Sequence, residues 1–152
     1  MSQLLAVICL FLTLLPPLPV AAQKDKPAAA LPTTLLKRTT TRRENCRFSF
    51  GGTVTVVGAP RGAVTVEGWS RNEVELVADM EWNGPTEADL DQLVSVNGFV
   101  FDEDLNHVSV LTTGTHDREY MKKKAKKFPK NLLNLPWKID FKLKLPANTD
   151  LE

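Results

Sequence analysis

The sequence is poor in the residues that form covalent cross-links, metal sites and catalytic centres. Its 152 residues include only two cysteines and two histidines. Cys9 lies in an apolar N-terminal segment that we expect to be removed, so the mature chain keeps only Cys46 and has no internal disulfide. No closely spaced Cys or His pair offers zinc ligands, and we expect neither a metal nor a cofactor. The fold therefore depends on a hydrophobic core rather than on disulfides.

Long apolar runs are also scarce, and the only candidate occupies residues 4–15. This run is shorter than the roughly 20 residues that a membrane-spanning helix needs. The small residues Val20-Ala21-Ala22 follow it, so the sequence predicts a signal peptide over residues 1–22 and a mature chain that begins at Gln23. An uncleaved membrane anchor is the alternative. We expect an exported protein, in the periplasm, at the cell surface or outside the cell, without a transmembrane segment after signal removal.

The next segment, residues 23–45, lacks an apolar periodicity. Its first part is rich in Ala, Pro and Lys, and its second part is rich in Thr and basic residues. Such a composition does not supply enough apolar surface to bury a face. The sequence therefore predicts a disordered linker over residues 23–45 and a folded domain over residues 46–152.

A β-type repeat with a period of ten residues opens the folded domain. Its copies occupy residues 52–58 (GTVTVVG), 62–68 (GAVTVEG) and, more weakly, 72–77 (NEVELV). Alternating apolar residues between Gly-rich turns are typical of short strands, here predicted over residues 53–57, 63–67 and 73–79. Val54, Val64 and Val74 are expected to share one column of a stack.

Further elements follow the repeat. Thr86 and Asp89 have capping-box spacing, which predicts a helix from Thr86 to about Ser95. Residues 99–101 and 107–112 read as a hairpin, and residues 137–145 alternate like a half-buried strand. The polar segment 113–134 is longer than ordinary connections. The chain stops where another strand could begin, so we expect it to be incomplete at its C-terminus.

These patterns predict an all-β fold with one short helix. A β-solenoid-like stack and an antiparallel sandwich both fit strands that recur every ten residues. The apolar residues of the predicted strands define the expected core: Val54, Val56, Val64, Val66, Val74, Leu76, Phe99, Phe101, Val108, Val110, Ile139, Phe141 and Leu143.

The order of these motifs resembles a bacterial β-strand-repeat family of adhesins, a domain of unknown function. The resemblance is carried by the Gly-x-Val-x-Val-x-Gly spacing, the short acidic helix, the hairpin and the late strand that ends in LPANTDL, and it spans about residues 48–152. It implies surface display and adhesion, with further glycine-bounded strands that are missing here. It implies no catalytic residues.

Charge is segregated along the chain, although the net charge is only +1. Between Arg71 and Arg118 there are eleven acidic residues and no Lys or Arg. A basic segment follows, and its cations are the candidate anionic-ligand contacts: Arg118, Lys122, Lys123, Lys124, Lys126, Lys127 and Lys130. Clustered lysines attract phosphates, anionic lipids or acidic glycans. The alternative is a solvated loop that balances the acidic stretch of the same chain.

The residues Asp102, Asp104 and Asn106 have the spacing that opens an EF-hand calcium loop. His107 stands where that loop needs Gly, and Thr113 stands where it needs a bidentate Glu. Asp and Asn are also common turn residues. The sequence favours a turn.

The remaining polar and aromatic candidates have ordinary structural explanations. Cys46, His107 and His116 lack any local motif of a nucleophile and its base. The carboxylates that alternate along one strand resemble a glycosidase pair but also suit its wet face: Glu73, Glu75, Asp79 and Glu81. The tryptophans could stack on sugars but are more often core: Trp69, Trp82 and Trp137.

Three functional hypotheses result. The first is a non-enzymatic structural or adhesive module of the cell envelope. The second is a module that binds acidic glycans, anionic lipids or another envelope protein through the basic segment, with no nucleic acid expected. The third is a polysaccharide-active enzyme, which rests on fold analogy alone. The sequence fixes neither the ligand nor the oligomeric state.

Overall fold

The computed structural model describes residues 34–59, 61–125 and 127–152. In these residues eight strands form two four-stranded mixed sheets, joined by two α-helices and one short 3-10 helix. The strands are β1 (Leu36–Arg47), β2 (Thr53–Val57), β3 (Val64–Trp69), β4 (Glu73–Gly84), β5 (Gly98–Glu103), β6 (His107–Thr113), β7 (Trp137–Pro146) and β8 (Asp150–Leu151). The helices are α1 (Glu87–Val96), α2 (Arg118–Lys124) and the 3-10 helix (Lys130–Leu132). The predicted mainly β fold is confirmed, and α2 is an addition to it.

The two sheets combine antiparallel and parallel pairs. The first sheet has the order β1-β4-β7-β3, and the second has the order β5-β6-β2-β8. The pairs β1–β4, β4–β7 and β5–β6 are antiparallel, so the predicted hairpin is confirmed as β5–β6. The pairs β3–β7, β2–β6 and β2–β8 are parallel.

The ten-residue repeat does not form the predicted column. Val54 lies in the second sheet, whereas Val64 and Val74 lie in the first sheet with β7 between their strands. Val64 and Val66 remain 43% and 41% exposed, so their placement in the core is wrong. The physical reason is that β3 is the edge strand of its sheet, and its residues are exposed except at Trp69.

One hydrophobic core contains residues of both sheets and of α1. The rings of Phe99 in β5 and Phe141 in β7 meet edge to face with centroids 5.5 Å apart. Nine of the predicted core residues are buried: Val54, Val74, Leu76, Phe99, Val108, Val110, Ile139, Phe141 and Leu143. Val56 and Phe101 pack against this core as partly buried residues.

The prediction of a linker over residues 23–45 is wrong from Leu36 onwards. These residues belong to β1, which pairs with β4 along its whole length, from Leu36 opposite Gly84 to Arg47 opposite Glu73. An edge strand that is mostly exposed needs no apolar stripe, and β-branched Thr suits extended backbone. Lys and Arg on such an edge also discourage pairing with other chains. Residues 1–33, with the predicted signal peptide, lie outside the described residues.

Local chemistry explains the boundaries of α1. The Asp89 amide donates to the Thr86 hydroxyl at 3.1 Å, and that hydroxyl donates to the Asp89 carboxylate at 2.7 Å. The predicted capping residues are therefore confirmed. At the other end, the buried Asn97 accepts a hydrogen bond from the Thr115 amide at 2.7 Å, which ties the end of α1 to the segment before α2.

Candidate functional site

The basic segment is a short helical element rather than an open loop. Asp117 caps α2 by accepting hydrogen bonds from the amides of Glu119 and Tyr120 at 2.9 and 3.0 Å. Met121 of α2 and Leu132 of the 3-10 helix are buried and anchor the segment to the body of the domain. This anchoring holds the intervening cations at the surface. Lys126 lies outside the described residues.

The cations of α2 and the following turn have few ionic partners. Lys122 pairs with Glu119 at 2.7 Å. Among the described residues, no carboxylate lies within 4.0 Å of the charged nitrogens of the other candidates: Arg118, Lys123, Lys124, Lys127 and Lys130. Three lysines in the last turn of α2 also face the negative end of the helix dipole, which accounts for part of their placement.

Three of these cations border a groove that we call the lysine groove. Its volume is about 630 Å³. It is lined by Gln92, Ser95 and Val96 from α1 and by Lys123, Lys124, Ala125, Lys127, Phe128 and Pro129. Phe128 is half-buried against the core, so the groove has an apolar part beside its cationic rim. Such a surface suits an anionic group that carries an apolar portion.

Five of the eleven carboxylates in the acidic stretch pair with cations of β1 or β7. Arg38 of β1 contacts Glu87 at 2.5 Å and Asp91 at 2.6 Å, and Lys37 contacts Glu81 at 2.7 Å. Lysines of β7 contact the carboxylates of β4, as in the 2.9 Å pair between Lys142 and Asp79. In the described residues no ion pair joins the basic segment to that stretch.

The alternating carboxylates of β4 lie in a ladder of opposite charges on the outer face of the first sheet. Hydrogen bonds from Lys142 and Thr41 lower the pKa of Asp79, and a hydrogen bond from Lys37 lowers the pKa of Glu81. A general acid at neutral pH needs a raised carboxyl pKa, and these two are shifted in the opposite direction. The wet-face interpretation fits this geometry.

Cys46 and the two histidines have separate surroundings. Burial, together with Glu103, raises the pKa of the Cys46 thiol to about 11, which disfavours the nucleophilic thiolate. His107 shares a hydrogen bond with the Thr55 hydroxyl at 3.1 Å, and the ring of His116 lies 5.5 Å from that of Trp137. These contacts do not assemble a nucleophile with its base.

The acidic hairpin loop adopts a turn. Asp104 donates its amide to the His107 carbonyl at 2.8 Å and accepts from the His107 amide at 3.3 Å. The Asp104 carboxylate accepts from the neighbouring Leu105 amide at 2.6 Å. Within the described ranges, no three His, Cys, Asp or Glu side chains converge in a way that could hold a metal ion.

Sequence reasoning missed the contribution of α1 to the lysine groove. Gln92 and Ser95 are about 25 residues before α2, and nothing in their local sequence indicates a site. The sequence also gave no means of distinguishing the burial of the three tryptophans. Trp82 and Trp137 are core residues, whereas Trp69 is only partly buried at the end of β3.

Comparison with protein-family models, with curated proteins and with solved structures found no match for this chain. None of the helices in the described residues combines the length and the apolar character needed to cross a membrane.

Proposed function

We propose that this protein is an exported, non-enzymatic module of the cell envelope that adheres to acidic glycans or anionic lipid headgroups through the lysine groove. One observation carries the proposal: the cations around the groove have no carboxylate partner among the described residues, while five carboxylates of the acidic stretch pair with cations of β1 and β7 instead. The apolar run over residues 4–15 supports export.

The lysine groove offers several weak charge contacts that a single ligand can make together. A single exposed ion pair contributes up to about 1 kcal/mol and is screened by salt. Lys123, Lys124 and Lys127 line one groove, so a ligand with several phosphate or carboxylate groups can meet them together. Near an anionic membrane each lysine contributes about 1 kcal/mol, so three lysines contribute about 3 kcal/mol. An acidic surface of another envelope protein would present the same chemistry.

The proposal extends to the arrangement of the strands as a solenoid or a sandwich. The parallel pairs β3–β7 and β2–β8 support a solenoid-like succession of strands. The antiparallel pairs β1–β4 and β5–β6 support a sandwich-like arrangement. We infer a hybrid of the two, which suits a scaffold that displays a binding surface.

The first prediction tests binding with a charge-matched pair of variants. The triple variant Lys123→Gln, Lys124→Gln and Lys127→Gln removes three cations of the groove. We expect it to bind polygalacturonate, or vesicles of phosphatidylcholine with phosphatidylglycerol, at least roughly tenfold more weakly than the wild type, because three lysines at about 0.5–1 kcal/mol each contribute at least about 1.5 kcal/mol. Cosedimentation at low salt and at about 0.5 M salt measures the binding of each ligand and its dependence on salt.

The control variant carries the same change of net charge on the outer face of the first sheet. Lys37→Gln, Lys138→Gln and Lys142→Gln remove lysines that already pair with carboxylates. We expect this variant to bind like the wild type. Equal losses in the two triple variants, or wild-type binding by the groove variant, would refute the lysine groove as the binding site.

A further inference from the structure

Trp69 is the tryptophan whose position the core does not explain. It ends the edge strand β3, whereas Trp82 and Trp137 are 2% and 4% exposed. Its indole nitrogen donates a hydrogen bond to the Glu73 carbonyl at 2.8 Å, which fixes the orientation of the ring. Along β3 the side chains alternate, so Trp69 shares the outer face of the sheet with Thr65 and Glu67.

Two cationic side chains lie over the ring of Trp69. The guanidinium carbon of Arg71 lies 5.1 Å from the ring centroid, and the ammonium of Lys144 lies 5.7 Å from it. Such cation–π contacts at exposed positions contribute little and can be exchanged for another partner. A partly exposed aromatic ring of fixed orientation therefore lies at the end of the sheet.

A polar groove adjoins this ring through Lys144. The groove has a volume of about 360 Å³ on the outer face of the first sheet. Its walls offer a hydroxyl from Thr65, carboxylates from Glu67 and Glu75, and the ammonium of Lys144. Donors and acceptors thus alternate beside an aromatic ring.

Three lysines of this face pair with carboxylates. Lys138 pairs with Asp140 at 3.1 Å, Lys142 with Asp79 at 2.9 Å, and Lys144 with Glu75 at 3.7 Å. Paired charges attract polyanions and polycations over a distance less than unpaired charges do. The chemistry of this face differs from that of the lysine groove, whose cations are unpaired among the described residues.

We propose that this face binds a neutral glycan chain, with one pyranose ring on Trp69 and the adjoining sugar hydroxyls along Thr65, Glu67 and Lys144. The C–H face of a pyranose ring packs on an aromatic ring through dispersion and apolar burial. Its hydroxyl groups need both donors and acceptors, which the alternating charges of the groove supply. The site is separate from the lysine groove and does not depend on the proposed anion binding.

A purely structural role for Trp69 makes a different prediction. In that case the ring, held between Arg71 and Lys144, only stabilises the end of β3. Replacing it would lower the unfolding temperature and change no binding property. The test therefore measures glycan binding and stability separately.

The experiment titrates the whole chain with chitohexaose, cellohexaose and maltohexaose and follows quenching of tryptophan fluorescence by acrylamide. Because Trp82 and Trp137 are buried, the quenchable signal reports Trp69. We expect at least one of the three sugars to protect Trp69 from the quencher. By calorimetry, Trp69→Ala should weaken its binding at least about tenfold, and Trp69→Phe should retain part of it.

The control is Lys123→Gln with Lys124→Gln, which should bind the neutral sugar like the wild type. Should Trp69→Ala fail to fold, the exposed-strand variant Thr65→Val replaces it and is expected to weaken binding as well. Absence of binding by all three sugars overturns the proposal. Wild-type affinity for the sugar in Trp69→Ala, or in Thr65→Val where that variant replaces it, also overturns the proposal.

Discussion

At the scale of single residues, carboxylates on the outer face of the first sheet are held by hydrogen bonds from neighbouring strands. Asp79 accepts hydrogen bonds from the Thr41 hydroxyl at 2.7 Å and from the Lys142 ammonium at 2.9 Å. Asp140 accepts from the Ala63 amide at 3.0 Å and from Lys138 at 3.1 Å. The backbone bond from Ala63, followed by Lys138, lowers the pKa of Asp140. These carboxylates are held ionised, which suits a stable surface rather than proton transfer.

A prediction for Asp79 follows from the direction of its shift. Its pKa is lower in the folded state than the ordinary value, so its stabilisation is present above about pH 4 and is lost as the pH falls through the folded pKa. At pH 7 we expect Asp79→Asn to reduce the free energy of unfolding by less than about 1 kcal/mol, because the pair is partly exposed and screened. Urea unfolding of both proteins from neutral to acidic pH measures the difference.

The lowered pKa requires this difference to shrink as the pH falls below about 4. A double-mutant cycle with Lys142→Gln serves as the control, since the two substitutions remove one shared interaction and should not be additive. A stability difference that is the same at acidic and neutral pH would contradict the assignment.

At the scale of elements, the repeat glycines have a physical explanation that differs from a stacked column. A Cβ at Gly62 would overlap the Ile139 carbonyl of β7, and one at Gly52 would lie 2.7 Å from the Asn106 carbonyl oxygen. Gly58 has a φ of 79°, in the left-handed region. Gly52, Gly58 and Gly62 thus mark places where the chain passes close to a neighbouring backbone or turns sharply.

The close approach at Gly62 predicts a selective effect of adding one methyl group. Gly62→Ala should destabilise the domain by about 1–3 kcal/mol, because the backbone of β3 must move away from β7. Gly68→Ala is the matched control in the same repeat copy, since no atom lies within 4 Å of its added Cβ and its φ is not positive. Thermal unfolding distinguishes the two variants, and equal stabilities would contradict the close approach.

The elements that the sequence predicted well are those with a local signal. The capping pair Thr86 and Asp89 marks the start of α1, and the alternation over residues 137–145 marks β7. Elements without such a signal were missed. β1 depends on its partner β4, and the run of lysines in α2 leaves Met121 as its buried anchor.

The pairing of strands that lie far apart in the chain could not be predicted from the sequence either. Short strands that recur every ten residues show the same alternating pattern whether each pairs with the next strand in the chain or with a strand of the other sheet. β2 and β3 each pair in parallel with strands that follow more than fifty residues later. The exposure of Val64 and Val66 follows from the edge position of β3, which depends on that pairing.

At the scale of the whole molecule, the distribution of charge separates a paired face from an unpaired one. Cations of β1 and β7 meet the acidic residues of β4 and α1. Lys123, Lys124 and Lys127 have no carboxylate partner among the described residues, and Gln92 and Ser95 of α1 line the groove with them. The location of this groove depends on the tertiary fold, so the sequence indicated the cations but not the surface that they form.

The most direct test of the lysine groove is an amide chemical-shift titration of the isotope-labelled chain with hexagalacturonate. We expect the shift changes to concentrate at Gln92, Ser95 and Val96 of α1 and over residues 123–130, and to vanish at high salt. Changes confined to β1 or β7, or no change at all, would contradict the account.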